Sequence, residues 1–552
     1  MENIYLQPYT KRAEAKVFNF RPFLFTAVFF AVGVLIAYLC TYQDVSPWWC
    51  LSLLPIFVFG SFLFLDTAPI KRILLGALGL AIAFFIGYGA LGMQMSSYQQ
   101  GGCYNGDCVV FGRVVESVEQ GDVAWISVDR VKVDGEKTTG KVRAYLRMKI
   151  GNKPALGDKV VLHGEIRDNT KEFNATRIDE NYRHTIYVDS YTISGHSFDL
   201  FLSVKNRVKQ VLYTGMDENS ASVTMAVMSG DTSGIQAETL ANMRYGGIAH
   251  IFAVSGLHIG ALFGFCVWLI QKTKLKRLLG IYRFLFVAGV LLFYGGVCGF
   301  SASVTRAVLT CLILYATTLA GLGSDVLERI AISALVVMLL SPVSLFCVGF
   351  QLSFSACIGI ALLKTPISAS IYGVGKLFKK KQDIDIDMDM DSQNHPPSLG
   401  AQAVKKCVDF FSVTLSAQLA TAPILLSAFG YLSGWGLLLN CIFVPVLSAI
   451  FSLLLLLCTV ACILPLFFAK FVLSFPSALF TLLLLVFEIA DFSTFCIQDV
   501  TLAKSAVVFY YLALLFITDK WNMSKPQKCV FALLCALVCA FVVFLTNCGG
   551  IP

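Results

Sequence analysis

The chain has 552 residues, of which 57% are hydrophobic and only 14% are charged. Soluble domains carry about a quarter charged residues, so this composition excludes an ordinary soluble protein. The net charge of +8 comes mainly from Lys and Arg clusters between apolar runs, so it does not by itself indicate an acidic substrate.

Apolar runs of about 18 or more residues are long enough to cross a bilayer, and they predict a polytopic α-helical membrane protein with about 11–13 spans. The predicted spans lie near residues 22–40, 48–65, 73–93, 247–270, 278–298, 304–322, 345–363, 407–429, 446–464, 471–490 and 529–546. Shorter candidates lie near 326–340 and 504–518.

Clusters of Lys and Arg fall on one side of the predicted spans. Cationic loops are retained in the cytoplasm, so the N-terminus is expected inside and the segment 94–246 outside. Residues 1–98 are expected to hold three transmembrane helices. The first is expected to remain uncleaved, since it has no small-residue cleavage site. The sequence predicts a multi-pass membrane protein whose N-terminus is cytoplasmic.

Residues 103–195 differ from the rest, with short alternating segments separated by Gly, Asp and Asn. This pattern predicts five strands, at 109–115, 124–128, 141–149, 159–166 and 185–188. Five short strands in so small a segment favour an extracytoplasmic β-barrel of the OB type.

The strand 141–149 carries cationic and aromatic side chains on one face, because alternate residues of a strand point the same way. Such a face is suited to following a phosphate backbone and stacking a base of single-stranded DNA. The alternative is a solvated outer face, and the domain has as many Asp and Glu as Lys and Arg, so any binding is expected to be local. The residues are Lys141, Arg143, Tyr145, Arg147 and Lys149.

Cys103 and Cys108 flank a turn-rich stretch on the side expected to be oxidising. A disulfide that closes this loop and a pair of free thiols are both compatible with the sequence. Most other cysteines lie in apolar spans, where Cys behaves as a small hydrophobic residue.

Two further regions follow the predicted β domain. Residues 196–246 are predicted to form connecting helices, of which 199–213 is amphipathic and suited to the membrane interface. Residues 247–546 form the main transmembrane domain, interrupted by an acidic cytoplasmic linker at 366–403. Its alternating Asp residues at 383–391 are expected to be solvated, with a divalent-cation site as the alternative.

Polar and glycine-rich motifs interrupt the apolar spans, and such residues are functional candidates because they are costly in lipid. The densest motifs are 226–234 and 240–260, which include His-Ile-Phe-Ala-Val-Ser-Gly-Leu-His at 250–258. These stretches closely resemble the signature of the ComEC family of competence proteins. Further stretches resemble the same family in the same order, at 299–307, 325–342, 349–354, 416–423 and 439–445.

The resemblance covers essentially the whole chain. It implies a channel for single-stranded transforming DNA in a bacterial cytoplasmic membrane, rather than an enzyme. Many family members also end in a metallo-β-lactamase-like domain. No His-x-His-x-Asp-His motif occurs here, so a separate nuclease is expected. The other expected partners are membrane lipid, a DNA receptor, a cytoplasmic motor or single-strand-binding protein, and a second copy of the chain. No cofactor or metal is expected.

The candidate channel residues are polar or glycine positions within these motifs. For each of them the alternative is a helix-packing role, and Arg306 has the strongest case for a pore or outer mouth. His250 and His258 are about 12 Å apart along a continuous helix, so they cannot share one metal ion, although nearby glycines favour local unwinding. The full set is Asp231, Arg244, His250, Ser255, Gly256, His258, Arg306, Gln351, Gln418 and Asn440.

Two other functions are compatible with parts of the sequence. A secondary transporter for a small solute also uses broken helices. An intramembrane serine hydrolase is less favoured, because His258 is only three residues from Ser255 and no second matching motif is present. The chain has no phosphate-binding GxxxxGK[ST] loop, so it is not expected to be an ATPase.

Overall fold

The computed structural model describes most of the chain. The described residues are 21–42, 70–100, 105–120, 123–138, 140–147, 154–170, 172–251, 256–321, 325–379, 399–489, 492–498, 504–518, 533–535 and 537. Predicted spans 48–65 and most of 529–546 lie outside these residues.

Two helices, α1 (Pro22–Tyr42) and α2 (Ile70–Gln99), form a closely packed pair. Gly33 and Gly87 set the distance, because a Cβ on Gly33 would lie 2.1 Å from the Phe84 carbonyl oxygen and one on Gly87 would lie 2.3 Å from that of Phe30. Small residues allow such close backbone contact between apolar helices, where shape rather than hydrophobicity drives association.

The β domain follows directly, with β1 (Gly106–Gln120), β2 (Val123–Val133), β3 (Glu136–Lys137), β4 (Lys141–Arg147), β5 (Asp158–Asp168), the short helix α3 (Ala175–Asp179) and β6 (Tyr182–His196). The five predicted strands are present, and most are longer than predicted. Each of the five pairs with two others, in the circular order β1, β2, β4, β6, β5 and back to β1. All pairs are antiparallel except β4 with β6.

Three helices connect the β domain to the rest: α4 (Leu200–Gly215), α5 (Glu218–Ser229) and α6 (Ala237–Tyr245). The predicted amphipathic helix is therefore present. Asp199 caps it, accepting hydrogen bonds from the N–H groups of Phe201 and Leu202. The same carboxylate pairs with the buried guanidinium of Arg113 in β1 at 2.8 Å, which joins the start of α4 to the sheet.

The remaining helices form the C-terminal helical region. They are α7 (Gly256–Lys272), α8 (Gly280–Val297), α9 (Ala302–Leu319), α10 (Val326–Leu340), α11 (Val348–Lys379), α12 (Leu399–Phe429), α13 (Gly436–Ile463), α14 (Ala469–Ile489) and α15 (Lys504–Ile517). The sequence missed a small antiparallel sheet in this region, in which β7 (Tyr431–Ser433) pairs with β8 (Cys496–Gln498).

Within the described residues, six helices are long and apolar enough to cross a membrane. They include residues Pro22–Thr41, Leu78–Gln99, Gly280–Val297, Val348–Tyr372, Val404–Phe429 and Leu466–Leu485. Several other predicted spans correspond to shorter apolar helices, among them Gly256–Lys272 and Ser303–Leu319.

Helices extend into both ends of the predicted linker 366–403. Helix α11 continues through Pro366 to Lys379, and α12 begins at Leu399. The two helices support each other, since the Tyr372 hydroxyl donates to the Lys405 carbonyl at 3.5 Å. The alternating Asp residues at 383–391 lie outside the described residues.

Candidate functional site

The predicted span 247–270 is broken in the structure. Helix α6 ends at Tyr245 and a 3-10 turn covers Ala249–Ile251, and the described part of α7 begins at Gly256. Gly247 has φ +72, and a Cβ there would lie 2.8 Å from the Gly436 Cα. This position therefore requires glycine both for its backbone conformation and for its packing.

Segments from three family-like motifs meet at this break. The Asn440 side-chain amide donates to the Gly247 carbonyl at 3.3 Å, and a Cβ on Gly436 would lie 3.0 Å from Gln418 Nε2. Asn440 is only 6% exposed, and its Oδ1 has no hydrogen-bond partner among the described residues. The break is thus lined by amide groups from α12 and α13, one with unused acceptor capacity.

The two predicted histidines occupy different environments. His250 lies in the 3-10 turn with an exposed side chain, whereas His258 is fully buried in α7. The His258 ring stacks on Phe451 of α13, with centroids 4.5 Å apart. Ser255 lies outside the described residues, and Gly256 begins α7, where a Cβ would lie 3.8 Å from the Ala307 Cβ of α9.

Arg306 lies in the first turns of α9 and is only 3% exposed. Its Nε and Nη1 have no hydrogen-bond partner among the described residues. Gly349 packs against it, since a Cβ there would lie 3.7 Å from Arg306 Nη2. Gln351, one turn along α11, donates to the Leu345 carbonyl at 3.1 Å and holds the preceding loop. The structure therefore brings two more motifs together around a buried cation.

The remaining motif residues are placed outside these two clusters. Asp231 pairs with Lys205 of α4 at 3.3 Å and accepts from Ser233. Burial alone would raise the pKa of Asp231, but the nearby Lys205 charge and the Ser233 hydrogen bonds outweigh it and lower that pKa. Arg244 is exposed near the end of α6. Asp231 thus ties the loop after α5 to α4.

The predicted alternation of β4 is present in the structure. Lys141, Arg143 and Tyr145 are half-buried, while the residues between them are buried. The Arg143 guanidinium lies 4.6 Å from the ring centroids of both Trp125 and Tyr182. The side chain of Arg147 and the whole of Lys149 lie outside the described residues.

Sequence reasoning missed the aromatic neighbours of this face. Trp125 of β2 and Tyr187 of β6 lie directly across from Tyr145, and Tyr145 stacks on Tyr187 with centroids 5.7 Å apart. Tyr187 is 45% exposed, and the Arg167 guanidinium lies 5.0 Å from its centroid. Only the strand register, which the sequence does not fix, could have identified this aromatic row.

Glu180 places a negative charge beside the same face, 4.0 Å from Arg143. Burial, together with the charge of Glu116, raises the pKa of Glu180 above its ordinary value. Protonation of Glu180 therefore leaves the Arg143 charge less compensated.

Of the two cysteines of the possible disulfide, the structure describes one. Cys108 lies in β1, where burial raises the pKa of its thiol to about 11. Cys103 lies outside the described residues, so the pairing stays a prediction.

These features define a mostly helical protein with six candidate membrane-spanning helices among its described residues, a β domain, and buried polar groups near a broken helix. A family model described as "Competence protein" matches residues 227–524, which is more than half of the chain. The chain belongs to this family, and the resemblance to ComEC proteins is confirmed.

A curated relative is "ComE operon protein 3" of Bacillus subtilis (strain 168). It is 26% identical over 245 residues, which cover 44% of this chain and 27% of that protein. The chain thus matches well under two thirds of the relative's length. No solved structure matches the chain.

Proposed function

We propose that this protein forms the conduit through which single-stranded transforming DNA crosses the cytoplasmic membrane during natural competence. The observation that carries the proposal is the convergence of family motifs inside the matched region 227–524. Distant segments meet around a broken helix at Gly247 and around the buried cation Arg306.

The two clusters have the chemistry that a polyanion with polar bases requires. A guanidinium in a low-dielectric setting attracts phosphate strongly and presents a planar set of donors to its oxygens. The amides of Asn440 and Gln418 offer donors and acceptors to bases or sugars without regard to sequence. Irregular backbone at membrane depth is tolerated where it lines a cavity, as the break at Gly247 would.

The β domain supports an entry role. Its circular pairing order and the parallel β4–β6 pair are those expected of an OB-type barrel, a frequent platform for single strands. The aromatic row Trp125, Tyr145 and Tyr187, flanked by Arg143 and Arg167, offers stacking surfaces beside cations. We assign this face as a weak, sequence-independent contact for the strand.

The topology follows from the charge pattern. We place the N-terminus in the cytoplasm and the β domain outside, in a chain with about 11–13 spans in total. The sequence contains no GxxxxGK[ST] loop, so we assign directional movement to a cytoplasmic partner. A DNA receptor and a separate nuclease would act on the outer side.

The proposal is tested by deleting the gene and measuring transformation with marked DNA. Complementation compares Arg306→Ala and Asn440→Ala with Arg277→Ala, an arginine exposed in the turn after α7. We expect the deletion to abolish transformation, Arg306→Ala to lower it at least about tenfold, and Arg277→Ala to restore it fully, at equal protein levels. Normal transformation in the deletion strain would refute the proposal.

A further inference from the structure

The β domain reaches the Arg306 cluster through one segment, the stretch that leads into and forms α3. Phe173 packs against Tyr38 of α1 and Phe346, with centroids 4.7 and 5.7 Å away. Ile178 of α3 is only 4% exposed and belongs to a hydrophobic cluster with residues of α1, α2, α10 and α11. The segment is therefore wedged into the helical region.

The last residue of α3, Asp179, is held beside the loop between α10 and α11, which leads to Gly349, the residue that packs against Arg306. Its Oδ1 accepts from the hydroxyls of Ser341 and Ser344 at 2.5 and 2.8 Å. Ser341 in turn accepts from Gln94 of α2 at 2.9 Å. The loop between α10 and α11, supported by α2, thus fixes the position of the Asp179 carboxylate.

Asp179 hydrogen-bonds to the loop that continues into Gly349, the residue packed against Arg306. Among the described residues, it is the one carboxylate whose negative charge acts on the Arg306 guanidinium. The other titratable groups that act on it are the thiols of Cys347 and Cys357. Yet the described hydrogen bonds of Asp179 go to the two serines, while Arg306 Nε and Nη1 stay without a partner among the described residues.

A buried guanidinium is costly when two of its nitrogens have no hydrogen-bond partner, as holds for Arg306 among the described residues. An anion that bound directly would supply both the missing hydrogen bonds and the missing charge. Asp179 would repel such an anion, because both are negatively charged and both lie near the same cation.

We infer that Arg306 forms an anion site for a phosphate ester, and that Asp179 of the β domain competes electrostatically with this ligand. The identification of the ligand as a DNA phosphodiester rests on the proposed function, whereas the anion site does not. The β domain thus sets how tightly the buried site holds phosphate.

The test uses the full-length protein in detergent and measures the thermal unfolding midpoint against rising concentrations of oligothymidylate or inorganic phosphate. We expect Asp179→Asn to bind both ligands at least about threefold more tightly than wild type. Asp189→Asn, which removes an exposed carboxylate elsewhere in β6, should match wild type. In an Arg306→Gln background, Asp179→Asn should have no effect.

Binding of oligothymidylate to the β domain alone does not affect the outcome. The test compares the effect of Asp179→Asn on binding in the presence and in the absence of Arg306. An Asp179→Asn effect that persists without Arg306, or that is absent with it, overturns the inference. If Arg306→Gln fails to fold, Arg306→Lys replaces it and should keep a reduced effect. Stabilisation by phosphatidylglycerol but by neither test ligand would also overturn it. If the effect of Asp179→Asn requires Arg306 but deletion of the gene leaves transformation normal, the anion site is supported and the proposed function is refuted.

Discussion

The exposed aromatic residue Tyr187 provides the most direct test of the β-domain surface. Substitution to alanine removes a ring that is 45% exposed without touching the buried core of the domain. Base–aromatic stacking contributes about 1–3 kcal/mol per base. One face of Tyr187 is already stacked on Tyr145, and Arg167 lies over the ring, so the contribution should fall at the lower end of that range.

We therefore expect Tyr187→Ala to weaken oligothymidylate binding about fivefold to tenfold, which corresponds to about 1–1.4 kcal/mol. The assay is fluorescence anisotropy of labelled oligothymidylate with the full-length protein in detergent at low salt. Phe198→Ala is the matched control, because Phe198 is 80% exposed but lies after β6, away from the row. Equal affinity of both variants and wild type would refute the assignment of this face.

Three further predictions concern charge, backbone and capping. Glu180→Gln should tighten oligothymidylate binding at neutral pH and flatten the pH dependence of that binding. The wild type should bind more tightly as the pH falls through the raised pKa of Glu180, because protonation removes the negative charge beside Arg143. Gly247→Ala should lower the unfolding midpoint markedly, since φ +72 and a contact of 2.8 Å both oppose a Cβ, whereas Gly89→Ala, with open space around it, should not. Asp199→Ala should destabilise the protein by about 1–2 kcal/mol in thermal unfolding, because it removes a helix cap and one of the two carboxylates paired with Arg113, while Asp129 remains. A loss below about 0.5 kcal/mol would contradict that role.

Local patterns predicted much of the secondary structure. The alternation in 141–149 and the apolar runs at 22–40 and 278–298 gave strands and helices near their observed positions. The breaks were harder to place, because helix α11 passes through Pro366, a residue that normally ends a helix. Packing against α12 overrides that preference, and packing of this kind is not encoded locally.

The polar clusters depend on contacts between distant residues. Gly247 meets Asn440, and Arg306 meets Gly349, although the individual motifs show no preference for these partners. Likewise, the aromatic row on the β domain depends on the register between β2, β4 and β6. The sequence identified Asn440 and Arg306 as candidates because polar residues are unusual in apolar spans. It did not identify the residues that they contact.

Hydrogen-bond capacity separates the candidate residues once these contacts are known. Asp231 is satisfied by Lys205 and Ser233, and Gln351 donates to a loop carbonyl, as structural residues would. Arg306 and Asn440 instead retain buried polar atoms without a partner among the described residues. Leaving such atoms unpaired costs about 1–3 kcal/mol each, and more for a charge. That cost is expected where a passing ligand completes the hydrogen bonds, so these two residues are the strongest candidates for contact with the strand.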